Sequence, residues 1–116
     1  MEMEKLTEDV IYVVLPPEPR IREKLKELNE KVSKNCDFNV VIDFSYIEVL
    51  TSTSISNLIT LQNWLDKSGY KLVFCKVAVV TKCIFDVAGL DKVFKFAEDK
   101  FDALSILKQS DTTVDS

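Results

Sequence analysis

Val40-Val41-Ile42-Asp43-Phe44-Ser45 is followed, after Tyr46–Leu50, by Thr51-Ser52-Thr53-Ser54-Ile55. The run Phe38–Phe44 is almost continuously apolar, which predicts a central strand covered on both sides. Ile55, Leu58, Ile59, Leu61 and Leu65 then recur at helical spacing over Ser54–Lys67. Most of that helix's circumference is apolar, so it is expected to pack closely, with Trp64 packed beside it or, as the alternative, exposed as a partner anchor. Four consecutive hydroxyl residues therefore sit at a strand-to-helix turn. A hydroxyl at such a turn can cap the helix by accepting a bond from a free backbone N–H. It is equally well placed for phosphorylation, which adds about two negative charges.

Outward from this turn, strands and helices alternate. Upstream, Met3–Leu6 reads as a short edge strand, Thr7–Asp9 as a turn and the β-branched run Val10–Leu15 as a strand. Pro16-Pro17-Glu18-Pro19 stops that strand because proline cannot continue a ladder. Ile21, Leu25, Leu28 and Val32 then form one stripe of an amphipathic helix that ends near Asn35. Downstream, Gly69 stands where a left-handed cap is wanted, and Lys71–Cys75 reads as a third core strand. Val79–Ala88 is predicted to be a helix turning Val80, Cys83, Ile84, Val87 and Ala88 inward, with Gly89 as its cap. Val93–Phe96 is a last short strand, and Asp99–Lys108 a final helix carrying Phe101, Leu104 and Leu107. The order predicts an α/β protein: one domain over residues 1–108 and a polar tail over 109–116. Its sheet should be mixed but mostly parallel, with four to five strands and about four helices. Functional loops in such folds gather at the carboxyl ends of the strands, where the hydroxyl turn lies.

Composition removes several classes of function. The 116 residues are 47% hydrophobic and 29% charged with a net charge of −4, which leaves no electrostatic footprint for nucleic acid or an anionic membrane. The basic residues of Arg20–Lys34 are diluted by Glu23, Glu27 and Glu30 and read as a solvated helix face. The charged N-terminus and the shortness of Val10–Leu15 argue against a signal peptide or membrane span, so a cytoplasmic protein is expected. Histidine is absent, which removes the commonest general base and metal ligand. The chain has only two glycines, too few for a glycine-rich phosphate loop. Its three cysteines have neither disulfide nor zinc spacing and are expected to be buried or half-buried thiols. No metal, cofactor or enzyme activity is expected. Asp43, at a strand end, is expected to anchor the following loop by accepting backbone N–H bonds.

The ordered set of segments resembles the STAS domain family, which includes the bacterial anti-sigma factor antagonists. Val40–Ser45 is similar to the family's central strand of apolar residues, Asp, then Leu-Ser. Val49–Ile55 falls where the family reads apolar-apolar-Asp-Ser-Ser/Thr-Gly-Leu, and Phe85-Asp86-Val87-Ala88-Gly89-Leu90 resembles the helix ending in Gly-Leu. Val93–Phe96 matches the last strand, so the resemblance spans roughly residues 10–107. It implies an antagonist that binds an anti-sigma factor, often a serine kinase, and is released when phosphorylated, with a phosphatase resetting the switch. It places the phosphoacceptor at Ser52, with Thr53 as the alternative. It centres partner contact on Asp43, Thr51, Ser52, Thr53, Ser54 and Ile55. Thr51 stands where the family has Asp, and Ser54 and Ser56 where it has glycines. Pro16–Arg20 replaces the family's Gly-x-Leu/Ile-Asp segment. Two further readings follow: a STAS adaptor in a signalling or transport complex that works without phosphorylation, and a small-ligand or lipid-binding module built on Phe85, Phe94, Phe96 and Phe101. The simpler account of those aromatics is a packed core.

Overall fold

A computed structural model describes residues 2–112, with side chains described over residues 3–108. The elements are β1 (Glu2–Thr7), β2 (Val10–Val14), α1 (Arg20–Lys34), β3 (Asn39–Asp43), α2 (Ser52–Ser68), β4 (Leu72–Cys75), α3 (Val79–Val87), β5 (Lys95–Ala97) and α4 (Lys100–Thr112). They build one five-stranded sheet in the spatial order β1-β2-β3-β4-β5. β1 pairs antiparallel with β2, and every other neighbour is parallel. The α/β class and the mixed, mostly parallel sheet are as the sequence predicts.

Alternation along each strand sorts the core into two layers. Val13, Val40, Ile42, Leu72 and Phe74 pack with Ile21, Leu25, Leu28 and Val32 of α1, Leu58, Leu61 and Leu65 of α2, and Phe85 of α3. Val10, Tyr12, Val41, Val73 and Cys75 form the second layer with Ala103 and Leu107 of α4. The double-sided burial expected of Phe38–Phe44 follows from this arrangement. Phe74 is the hub of an aromatic cluster, its ring centroid lying 4.6 Å from Phe94, 4.8 Å from Phe44 and 5.8 Å from Phe85. Aromatic pairs at such spacings add about 0.5–1.5 kcal/mol each beyond their buried area.

The C-terminal third departs from expectation in phase. In α3 the buried residues are Thr81 and Phe85, while Val80, Cys83, Ile84, Val87 and Ala88 are exposed. Phe85 is the largest apolar side chain of that helix, and its place against Phe74 and Phe94 fixes the rotation. The residue one turn earlier on the same face is Thr81, so the smaller apolar residues turn outward. Cys83 is correspondingly an exposed thiol, where a buried or half-buried one was expected. Ala103 and Leu107 define the inner face of α4, and Phe101, in its first turn, is 70% exposed. That helix continues through Thr112, four residues into the stretch expected as a tail, and residues 113–116 lie outside the described ones. Trp64 is partly exposed rather than packed, with the Lys67 ammonium 5.3 Å from its ring centroid. The last strand starts at Lys95 rather than Val93 because the α3 cap extends further: Leu90 N–H bonds Phe85 O at 2.8 Å and Phe94 N–H bonds Leu90 O at 3.3 Å. Gly89, at φ +76°, supplies the left-handed residue this cap requires.

Candidate functional site at the carboxyl end of β3

The parallel register sets the floor of the site. Val14 of β2, Asp43 of β3 and Cys75 of β4 lie side by side at the carboxyl edge. The chain leaves that edge under control: Leu15 N–H bonds Asp43 O at 3.1 Å and Phe44 N–H bonds Cys75 O at 3.0 Å. Asp43 itself is buried. One carboxylate oxygen accepts the Ser45 N–H at 2.7 Å, as expected of an Asp that anchors a loop, and the other accepts the Tyr12 hydroxyl. Burial pushes the Asp43 carboxyl upward, but the hydrogen bonds from Ser45 and Tyr12 and the charge of Lys76 outweigh it. The net effect holds the group below its ordinary value of 3.8. Beside it, burial and the Asp43 charge push the Cys75 thiol up to about 11, and burial with the same carboxylate raises the Tyr12 hydroxyl as well. The site therefore rests on one ionised, fully engaged carboxylate.

From Asp43 the loop runs to α2 with Ile47 and Leu50 buried as anchors and Tyr46 and Val49 turned outward, 63% and 65% exposed. Thr51 is the N-cap: its backbone is extended and its Oγ1 accepts the Ser54 N–H at 3.2 Å. Ser52 and Thr53 are the first two helical residues, and both side chains are exposed. Ser54 is fully buried, and Ile55 is half-buried against the first core layer. Of the four hydroxyls, then, one caps the helix, one is buried and two face solvent. Of the six residues expected at a partner surface, Thr51, Ser52 and Thr53 present side chains outward, whereas Asp43 and Ser54 support them from below.

Glu18 completes the arrangement, and its part was not foreseen. Ser54 Oγ donates to Glu18 Oε2 at 3.2 Å, Thr51 Oγ1 donates to the same oxygen at 3.5 Å, and Thr51 Oγ1 lies 3.2 Å from Ser54 Oγ. No acidic residue occurs in the first turn of α2, so Glu18 brings a carboxylate to that end of the helix from outside it. The available signal was topological. Loops that leave neighbouring parallel strands at the same edge must meet, and Pro16–Pro19 leaves β2 beside the loop that leaves β3. Pro17, Glu18, Ser45, Tyr46, Glu48 and Val49 line an open groove of about 470 Å³ between these two loops. Among the described residues no group of three or more Cys, Asp or Glu side chains is placed to hold a metal ion. No described helix is long and apolar enough to cross a membrane.

The sequence pattern of the STAS domain matches residues 6–103, and the chain belongs to that family. Solved structures agree on the architecture. An anti-sigma-factor antagonist (STAS) domain protein from Planctomyces limnophilus superposes with a TM-score of 0.77 at 16% identity, over 92% of this chain and 97% of that one. RsbS of Moorella thermoacetica, carrying a serine-to-glutamate substitution, gives a TM-score of 0.77 at 20% identity, over 96% and 97% of the two chains. SpoIIAA of Bacillus in its phosphorylated form gives 0.69 at 9% identity, over 90% and 97%. At these identities the likeness is one of fold. Among curated proteins none matches the chain.

Proposed function

We propose that this STAS domain is an anti-sigma factor antagonist that works by partner switching. It binds a serine-kinase anti-sigma factor through the surface around the start of α2, and phosphorylation of Ser52 ends the complex. A phosphatase restores the binding form, and the cycle runs in the cytoplasm. The protein itself acts by binding rather than by catalysis. The observation that carries this reading is the sorting of the hydroxyls. Thr51 is engaged as the cap and Ser54 is buried, which leaves Ser52 and Thr53 accessible, and the loop before them also turns Tyr46 and Val49 outward.

The physics of the position suits a switch. A phosphate on the first residue of α2 meets the positive end of the helix dipole and free backbone N–H groups, so the folded domain tolerates it. The same dianion pressed into a partner's packed surface must lose its water, at a cost of several kcal/mol. Binding is thus lost without unfolding the domain. Incubation with ATP and serine-kinase anti-sigma factors from the source organism, followed by intact-mass measurement and fragmentation, tests the reading. One phosphate on Ser52, abolished in Ser52→Ala, supports it, and label on Thr53 alone moves the acceptor one residue. Complexes that form with no phosphate transferred, and that Ser52→Asp leaves intact, sink it in favour of the unphosphorylated adaptor.

A further inference from the structure

The contact between Glu18 and the hydroxyl turn joins two segments that are far apart in sequence. Glu18 lies between Pro17 and Pro19, with Pro16 before them. Three prolines in four residues fix φ and remove N–H donors, so the segment moves as a stiff piece. Its attachment to the start of α2 comes through the Glu18 carboxylate, which accepts from Ser54 Oγ at 3.2 Å and Thr51 Oγ1 at 3.5 Å. On its other side the segment leads straight into α1, where Arg20 N–H bonds Pro17 O at 3.1 Å. Pro17 and Glu18 also form one wall of the groove whose opposite wall is Tyr46, Glu48 and Val49.

We propose that Glu18 is a positioning residue that latches the Pro16–Pro19 segment to the start of α2, and that a phosphate on Ser52 springs this latch. The proposal rests on the reading of Ser52 as the phosphoacceptor. Ser52 directly follows Thr51, one of the two hydroxyls that hold Glu18. A dianion there stands well within a Debye length of the Glu18 carboxylate and repels it. It also competes for the hydroxyl and backbone donors of the same turn. The carboxylate swings away, the proline segment follows as a unit, and the groove loses one wall. Phosphorylation then does more than add charge to a docking surface: it removes part of that surface's shape.

The test uses the full chain with phosphoserine installed at position 52 during synthesis, so no kinase is involved. Backbone amide resonances of Arg20, Tyr46 and Val49 are compared in six proteins: wild type, Glu18→Ala and Glu18→Gln, each with and without the phosphate. The latch predicts that phosphate moves the Arg20 resonance of the wild type in the direction set by Glu18→Ala. It predicts a displacement at Arg20 about fivefold or more larger in wild type than in Glu18→Ala, the non-additivity expected of coupled groups. Glu18→Gln, which keeps the shape and loses the charge, should cut the Arg20 response at least by about half. Resonances that stay at their unmodified positions in the wild type, or an equal response in all three backgrounds, would overturn the proposal. Because the phosphate is built in, a working latch with no kinase able to label Ser52 refutes only the partner-switching reading. A labelled Ser52 with an unmoved loop refutes only the latch.

Discussion

Asp43 shows how much of the site rests on one side chain. Its carboxylate ties the Tyr12 hydroxyl on β2 to the Ser45 N–H at the start of the α2 loop. Asp43→Asn keeps the shape and removes the charge, and hydrogen bonds to a charged group contribute about 1.5–3 kcal/mol. The variant should lose about 2 kcal/mol in urea denaturation at neutral pH, with amide exchange at Ser45 rising more than in the β3–β4 core. The Asp43 group is held below 3.8 in the fold, so the stability it contributes is present above that pH and is lost as the pH falls. The gap between wild type and Asp43→Asn should therefore close on acidification. Cys75 has the opposite sign. Its thiol rises from 9.0 to about 11 in the fold, so the stability linked to its protonated form is complete below pH 9 and declines as the pH climbs towards 11. Cys75→Ala should flatten the part of the alkaline decline that lies between pH 9 and 10, before Tyr12 contributes, as read from denaturation midpoints.

At the scale of elements, the largest side chain decided what the smaller ones did. Phe85→Ala should cost about 3–5 kcal/mol, because the ring fills the space between Phe44, Phe74 and Phe94. Val87→Ser, on a residue 89% exposed, should change stability by less than about 0.5 kcal/mol. Equal losses from the two changes in thermal or urea unfolding would mean that the assigned face of α3 is wrong. The same comparison explains what the sequence made legible. In α1, Ile21, Leu25, Leu28 and Val32 form an unambiguous stripe among charged residues, and all four are buried. In α3 the apolar residues Val80, Ile84 and Val87 face away from Lys82 and Asp86, so periodicity points to a face that the structure leaves exposed, and only the aromatic contacts to other elements turn Phe85 inward. The site divides in the same way. Asp43 as a loop anchor and Thr51–Ser54 as a helix-capping turn are local features, and local pattern exposes them. The sorting into exposed Ser52 and Thr53 and buried Ser54 depends on the direction in which α2 leaves the sheet. Glu18 reaches the turn across 33 to 36 positions of sequence, beyond any local motif.

For the whole molecule, the two faces of the sheet are unequally covered. α1, α2 and α3 share the first core layer, whereas among the described residues only α4 contributes a helix to the second. Leu107→Ala should therefore destabilise the protein by about 2–5 kcal/mol despite lying close to the end of the described chain. A loss below 1 kcal/mol in calorimetric or urea unfolding would show that the second layer does not depend on α4. The sheet's spatial order, β1 through β5 without a permutation, has a consequence for biogenesis. Each strand emerging from the ribosome finds its partner already made and joins the same growing edge, so no completed pairing must open to admit a later one. Synthesis at about 5–20 residues per second gives each strand seconds to dock before its successor arrives. The α4 face closes last, which leaves Val41 and Val73 uncovered in every nascent intermediate until that helix is made.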